Sequence, residues 1–407
     1  MSQKRVLIVG GGIAGPVLAY WLGKNGYKVV IVERLQHQRQ AGQVIDIEGP
    51  SKEIISRMGI LDDIEKGSTK EAGVTFVDEV GRTLGAFPAG QSGGASKEIE
   101  IMRPVLGTIL FDVANALENV EFRFASTVIG LEQSDTAATV EIQQTSTRET
   151  TKEEYDLVVA CDGLRSRTRD LILPESDPQS CIKSLNVFVA FFSIPAQPHD
   201  GPYSRLYTMV GRRSALIKPM TAEESSAYLS CAKYDQELHD ARESRDIQKQ
   251  KEVLARRYRG CGWETDRIAQ AMLETDNFYF EEISQIKLQK WSRGRCVLLG
   301  DTAWCPSPLT GQGTNTAILG AYVLASRIID HEDNIERALE AYEQDMRPFV
   351  DNIQTIPLGG YAPLIGNPDS WWGVWIFRSV VSWISWLGLY KYFPDTETKY
   401  DALPDLR

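Results

Sequence analysis

Three glycines at fixed spacing, Gly10, Gly12 and Gly15, stand where backbone rather than side chain would meet a ligand. They follow the apolar run Val6 to Val9 and precede Ala14 to Lys24, where Val17, Leu18, Trp21 and Leu22 recur at helical spacing. The order is strand, tight turn, helix. In such a turn the first glycine permits the sharp change of direction, and the second lets the backbone approach a pyrophosphate at the helix N-terminus. The third lets helix and strand pack closely. Glu33 ends the next apolar run, Lys28 to Val32, about 20 residues along, where a carboxylate accepts hydrogen bonds from a ribose. The chemistry indicated is dinucleotide binding. The pattern alone does not separate NAD from FAD, and a glycine-rich turn beside a solvated Glu33 is the plainer alternative.

Two later segments add to it. Asp156 to Arg169 is a buried-type strand, then Asp162 and Gly163, then a basic helix start. Leu298 to Asn315 is a strand ending at Gly300 and Asp301, then a Pro/Gly turn that opens a helix. A helix N-terminus offers unpaired N–H groups and the positive end of a dipole, suited to negative charge on a ligand.

The elements that must position these residues fall into a α/β (α+β mixed) order. The first 33 residues form a βαβ unit. Ile101 to Leu117 has helical spacing, and Gly85 to Ser96, rich in Gly, Ala and Ser, reads as a mobile loop. From Ser184 to Lys233 the runs alternate and are β-rich, as in Val187 to Phe192 and Tyr228 to Ala232, which predicts an inserted, mainly antiparallel sheet. Asp235 to Ala271 is charged and helical. Strand patterning returns over Gln285 to Gly300, and a helix begins near Thr314. No internal repeat is present.

Composition bounds the rest. The chain has 407 residues, 43% of them hydrophobic, and a net charge of −11, which excludes broad nucleic-acid binding because that affinity needs cationic neutralisation of phosphates. The six cysteines have no C-x-x-C pair and no cluster, so a zinc site or disulfide framework is not expected and a reducing, cytoplasmic setting is. The four histidines lack metal-ligand spacing. No secretion signal is legible at Lys4 and Arg5, where the apolar run is too short. Trp371 to Tyr390 carries one charge, Arg378, and five of the nine tryptophans, and its length approaches a membrane span. Arg378, Ser382 and Ser385 share one helical face, which favours packing on the protein over interfacial contact or spanning.

Together, the three motifs resemble the class A flavoprotein monooxygenases, the family with the para-hydroxybenzoate hydroxylase fold, in the expected order from Val6 to Arg347. A closer resemblance is to the branch that includes the tetracycline-inactivating monooxygenases, through G-Q-V-I-D-I at Gly42 to Ile47 and Arg103 in E-I-M-R-P-V-L. The resemblance implies a Rossmann-like FAD-binding domain with an inserted substrate domain and C-terminal helices. The implied boundaries are 1–175 and 286–350 for the FAD domain, 176–285 for the substrate domain and 351–407 for the C-terminal segment. It implies cofactor contacts from Gly10, Gly12, Gly15, Glu33, Arg34, Asp46, Arg103, Asp162, Asp301, Pro308, Gly311, Gly313 and Thr314, chiefly to FAD, with the Asp162 motif associated with both FAD and NAD(P)H. Arg39 falls where the branch has an arginine linked to NADPH, and Arg205 where it has one near substrate and flavin, the position expected to take part in catalysis. Tyr342, Arg347 and Pro348 match the helix that follows the last motif.

Read without the family, Arg39 is an ordinary solvated arginine and Arg205 a partner for an acid on a sheet face. Asp46 between Ile45 and Ile47 is costly to bury without a partner, and Arg103 is suited to clamp oxygens. One departure stands out: most members have His where this chain has Trp304, and an Asp near Gly320. An indole cannot exchange protons as an imidazole does, so Trp304 is expected beside the flavin ring or at the surface. The implied activity is that NADPH, or NADH, reduces FAD and one atom of O2 passes to an apolar, aromatic or polycyclic small molecule, in specialised metabolism or detoxification. Phe188, Phe191, Phe192 and Tyr207 are the aromatics expected near the pocket. The rivals are a flavin oxidoreductase without oxygen insertion, and a flavin-bound cyclase or binding protein. The first includes halogenases, whose W-x-W-x-I-P motif is absent.

Overall fold

The β-branched run Arg5–Val9 lies between Lys28–Val32 and Leu157–Ala160 as parallel strands, so it is covered on both faces and carries no alternation. The chain is described here from a computed structural model, which covers residues 3–39, 42–69, 71–89, 99–174, 178–356, 362–392, 400 and 402–406. The full sheet order is Ser292–Arg293, Cys296–Leu298, Leu157–Ala160, Arg5–Val9, Lys28–Val32, Val120–Arg123. Helices Ala14–Lys24 and Gly313–Asp330 pack on it, and their apolar residues join the strands in the largest core. An antiparallel three-stranded sheet, Ser126–Gln133, Ala138–Gln144 and Thr150–Tyr155, adjoins it.

The second large sheet has seven strands in the order Phe278–Ile286, Ile182–Pro195, Glu224–Cys231, Arg213–Pro219, Ser204–Met209, Gly73–Val77, Thr83–Pro88. It is antiparallel except where Ser204–Met209 meets Gly73–Val77. Two of its strands therefore come from within residues 1–175, so the sheet draws on two separate stretches of chain. Helices Gln236–Glu243, Ile247–Tyr258 and Thr265–Glu274 cover one face and close a second core. The other face looks toward the first sheet across a two-stranded ribbon, Val44–Ile47 with Ile99–Met102.

Two local readings change. The segment read as a helix from Ile101 begins as a ribbon strand, Ile99–Met102, and the helix is Arg103–Asn115, with Pro104 in its first turn where a missing N–H costs nothing. The part of the expected loop at Gly85 to Pro88 is a strand paired with Gly73 to Phe76. A Cβ on Gly85 would lie 3.0 Å from Ser385 Cβ, so this glycine admits a neighbouring helix rather than mobility. The rest of that loop, 90–98, lies outside the described residues.

That neighbour is the C-terminal helix Trp371–Leu387. It packs through Val374 and Val381. Arg378 donates to Glu79 Oε2 at 2.6 Å and to the Thr208 carbonyl at 3.0 Å, and Ser385 Oγ bonds the Ala86 backbone. The opposite face leaves Trp371 61% and Trp386 77% exposed. No helix among the described residues is long and apolar enough to cross a membrane.

Candidate active site

The glycine turn is built as its spacing requires. Gly10 has φ +116°, and a Cβ there would lie 2.5 Å from the Cys161 carbonyl oxygen. A Cβ on Gly15 would lie 2.2 Å from the Gly10 carbonyl oxygen, so helix and strand approach as closely as backbone permits. A Cβ on Gly12 would meet nothing within 4 Å, which leaves that position open to a ligand. Helix Ala14–Lys24 starts at Ile13 without a side-chain cap, so its first N–H groups remain available. Glu33 is fixed beside them: Oε2 accepts the Gly11 N–H at 2.8 Å and Oε1 the Leu35 N–H at 3.0 Å. Arg34 follows on the exposed side.

The Asp162 loop meets the Asp301 loop. The Asp162 carboxylate accepts from Ser166 Oγ and from Thr168 Oγ1 at 3.0 Å, so it shapes the loop rather than reaching into open space. The Gly163 N–H donates to Thr302 Oγ1 at 2.8 Å. Arg169, 2% exposed, donates to the carbonyls of Leu164 at 3.1 Å and Thr302 at 3.2 Å. This buried arginine ties the two loops together. Sequence reasoning passed over it, although a basic residue following an Asp-Gly turn was visible. Burial raises the pKa of Asp301, against the opposing charge of Arg103 and the Cys305 thiol hydrogen bond.

Beyond Asp301, Pro308 is exposed and Gly311 turns with φ +67° into helix Gly313–Asp330. A Cβ on Gly313 would meet only Asp301 Oδ1, at 3.9 Å. Thr314 lies in the first turn, and the helix has no side-chain cap. Next to it Asn315, 4% exposed, accepts the Glu48 N–H at 3.2 Å while its Nδ2 has no partner. Ser307 Oγ is buried and equally unmatched. These orphaned polar atoms, the open glycines and two uncapped helix starts fit FAD: Glu33 and the first turn for its adenosine and pyrophosphate, the Asp301 turn for its ribityl and ring portions. Asn315 was missed because a lone Asn after a glycine turn reads as a helix start.

Arg103 heads its helix directly after the ribbon, with its N–H on the Gln43 carbonyl at 3.1 Å. A Cβ on Gly42 would lie 3.1 Å from Arg103 Cβ, so the glycine makes room for it. Arg39 lies over the Tyr279 ring at 5.2 Å. The residue is exposed, and its pKa is lowered first by partial desolvation of the guanidinium and then by the charge of Arg103, with that of Arg34 adding. Asp46 stands opposite Glu100 in the ribbon, while Ile45 and Ile47 turn to the core.

Two expected placements do not occur. Arg205 alternates with Leu206 and so shares the helix-covered face with Tyr207 and Met209. Its guanidinium donates to the carbonyls of Gly81 at 2.7 Å and His199 at 3.2 Å, over Trp263, and the structure does not bring it to the site. Phe188, Phe192 and Tyr207 lie in the same helix-covered core, and of the four aromatics only Phe191 turns to the other face. Trp304 is not at the surface; its ring packs inside the core and also borders a small cavity shared with Trp291, Arg347 and Gln354. It is 1% exposed, packed 4.8 Å from Trp291 and 6.1 Å from Tyr342. A Cβ on Gly320 would lie 2.8 Å from its indole, so the two departures from the family pattern are one packing solution.

The face of the seven-stranded sheet toward the ribbon carries an apolar rung in register across six strands: Tyr279, Phe191, Tyr228, Leu216, Leu206 and Phe76. Phe191 and Tyr228 rings lie 4.9 Å apart, and Phe191 stacks on Tyr279 at 6.3 Å. Phe377 of the C-terminal helix closes the far end against Phe76 at 5.8 Å.

Residues 3–355 match the family described as FAD binding domain. The chain is 39% identical over 399 residues to the monooxygenase CTB7 of Cercospora beticola, covering 96% of this chain and 94% of that protein. It is 32% identical over 351 residues to a flavin-dependent monooxygenase of Legionella longbeachae, covering 86% and 87%. The crystal structure of tetracycline destructase Tet(55) superposes with a TM-score of 0.79 at 28% identity over 99% of both chains. A backbone cradle that fits FAD thus has the same origin as theirs: the chain belongs to the FAD-dependent monooxygenases, enzymes that spend NAD(P)H and O2 on oxygenating a small molecule.

Proposed function

We propose that the rung Tyr279–Phe191–Tyr228–Leu216–Leu206–Phe76 is the platform on which a flat, polycyclic, largely aromatic substrate is oxygenated. The reaction is substrate, O2, NADPH and H+ to hydroxylated or epoxidised product, water and NADP+. The register of the rung carries this reading. Six adjacent strands at about 4.8 Å spacing give a strip of roughly 24 Å, and ring faces at its near end offer stacking area with little rotamer entropy to lose. The name of Tet(55) as a tetracycline destructase supports a polycyclic ligand.

FAD, when bound, supplies the redox chemistry that activates O2. The chain's own residues do the rest. Glu33 and the glycine turn hold the adenosine and pyrophosphate; Arg103, Asp46, Asp301, Pro308, Gly311, Gly313 and Thr314 hold the flavin portion. Arg169 and Asp162 keep their two loops in register. Arg39, with Arg34 beside it, receives the phosphates of NADPH, since guanidinium groups pair with phosphate oxygens in bidentate fashion. The tryptophan-rich outer face of the C-terminal helix takes no part in this reaction, in a cytoplasmic enzyme of specialised metabolism or detoxification.

The test is oxygen incorporation. Holoenzyme given NADPH, labelled O2 and a panel of planar polycyclic compounds should transfer one labelled atom to at least one of them, and Phe191→Ala should raise its KM several-fold with bound FAD unchanged. Flavin reduction without label in any product, across the panel, removes the platform reading.

A further inference from the structure

The helix Trp371–Leu387 is amphipathic in reverse. A surface helix normally turns its charges outward and its apolar residues toward the core. Here the one charge, Arg378, points inward to Glu79 and the Thr208 carbonyl, and Ser385 points inward to the Ala86 backbone. Toward solvent the helix shows Trp371, Trp372, Trp375, Trp383 and Trp386, 59–77% exposed, with Ile376, Val380 and Leu387 between them at 48–53%. Ser379, also on that side, returns its hydroxyl to the Trp375 carbonyl at 2.9 Å. At 3.6 residues per turn these positions cover roughly half of the circumference.

An indole buries about 150–250 Å² when covered, so the five tryptophans alone leave on the order of 500–800 Å² of side chain open to water. That reaches or passes the largest apolar patch of a typical monomer, about 300–600 Å². The patch runs on past both ends of the helix. Leu389 and Tyr392 follow it, 41% and 83% exposed, and Ile365 precedes it at 55%. Val210, 43% exposed, lies next to a Gly211 N–H that donates to the Asp369 carbonyl at 2.8 Å, just before the helix begins.

Breadth and charge select what covers this face. A partner helix, that of a second copy included, fills a narrow seam and would leave tryptophans wet on both flanks. Two copies would also bring together chains that each carry a net charge of −11. A bilayer surface instead takes in the whole half-cylinder to a depth of about 5–10 Å. Indoles suit that depth, with the ring among acyl chains and the N–H toward headgroup oxygens. From Trp371 to Tyr392 there is no acidic residue to repel lipid phosphates. The cations there are Arg378, paired with Glu79, and Lys391, exposed beside Tyr392. One outward cation is no polybasic patch, so the face matches a zwitterionic surface rather than an anionic one.

We infer that the outer face of Trp371–Leu387 seats the enzyme on a zwitterionic lipid surface, with the helix lying in the plane of the interface. Phe377, on the inner side of the same helix, touches Phe76 at 5.8 Å, so docking brings lipid to the edge of the seven-stranded sheet. The inference does not depend on what that sheet binds.

The test uses FAD-loaded, full-length enzyme and phosphatidylcholine vesicles. The enzyme should sediment with the vesicles in low and in high salt alike, because burial of apolar surface is not screened, and brominated acyl chains should quench part of its tryptophan emission. Trp375→Gln and Trp386→Gln, both at side chains turned to solvent, should each lower vesicle affinity about ten-fold with FAD content and melting temperature unchanged. No sedimentation at saturating lipid, or full affinity in both variants, overturns the inference. Binding confined to anionic vesicles and reversed by salt does so too, since the contact would then be electrostatic. A dimer in lipid-free solution that the same substitutions dissociate would make a second copy the occupant and end the lipid reading. Should either variant fail to fold, wild-type emission left unquenched by brominated lipid is equally decisive against it.

Discussion

The FAD cradle and the substrate face are assembled by opposite means. In the cradle the working parts are backbone: a Cβ on Gly10 or Gly15 would fall within 2.5 Å of a neighbouring carbonyl oxygen, Gly12 stays open, and two helices begin without side-chain caps. On the sheet the working parts are side chains brought into line by strand register from positions as far apart as Phe76 and Tyr279. Backbone sites need particular residues at short, fixed spacing, whereas side-chain sites need only the right parity on each strand. The cradle is therefore intolerant and the platform adaptable, which suits a fold that keeps one cofactor and changes substrates.

The comparison breaks most sharply at Gly15. Gly15→Ala places a Cβ 2.2 Å from the Gly10 carbonyl oxygen, and overpacking of this kind costs roughly 1–3 kcal/mol or more. Backbone, not a flexible side chain, would have to move. The purified variant should lack flavin absorbance, and retention of wild-type FAD content would show that the turn does not form the cradle.

A smaller effect is expected where the cradle rests on side-chain packing. Gly320→Ala meets the Trp304 indole at 2.8 Å and should lower stability by about 1–3 kcal/mol. Trp304→His in the same chain should restore most of it, because the smaller ring vacates that space. Thermal melts of the two single variants and the double variant give the coupling, and strict additivity would mean that the two positions do not share a packing solution.

Glu33→Ala removes the acceptor of the Gly11 and Leu35 N–H groups and, with it, the ribose contact proposed for this carboxylate. FAD should bind more weakly by about 1.5–3 kcal/mol, the range for hydrogen bonds to a charged group. Titration of apoenzyme with FAD measures it, and unchanged affinity removes Glu33 from the cradle.

The same contrast explains what could be read in the sequence. The βαβ unit, the inserted antiparallel sheet and the glycine positions were legible because period, turn chemistry and spacing are local. The two strands Gly73–Val77 and Thr83–Pro88 were not, since a short glycine-rich run looks like a loop until the C-terminal helix that needs Gly85 is in place. Arg169 and Asn315 were missed because each acquires its role from residues distant in sequence. Trp304 was recognised as a departure, but its reason lay at Gly320, one helix away.

Arg205 sharpens the comparison with the smallest effect. Similarity put it near the flavin; strand parity puts it on the opposite face, where its two hydrogen bonds hold the carbonyls of Gly81 and His199. The side chain is half-buried and makes no bond to an acid in those contacts, so truncation removes local bracing rather than a reacting group. Arg205→Ala should cost about 1 kcal/mol of stability and leave FAD content, the KM for NADPH and the coupling of NADPH use to product near wild type. Arg39→Ala, on the cradle side, should instead raise the KM for NADPH with FAD content unchanged. Steady-state assays of the two variants together decide the matter: a collapse of coupling in Arg205→Ala at intact fold would return that residue to the site and show that the sheet face is assigned the wrong way round.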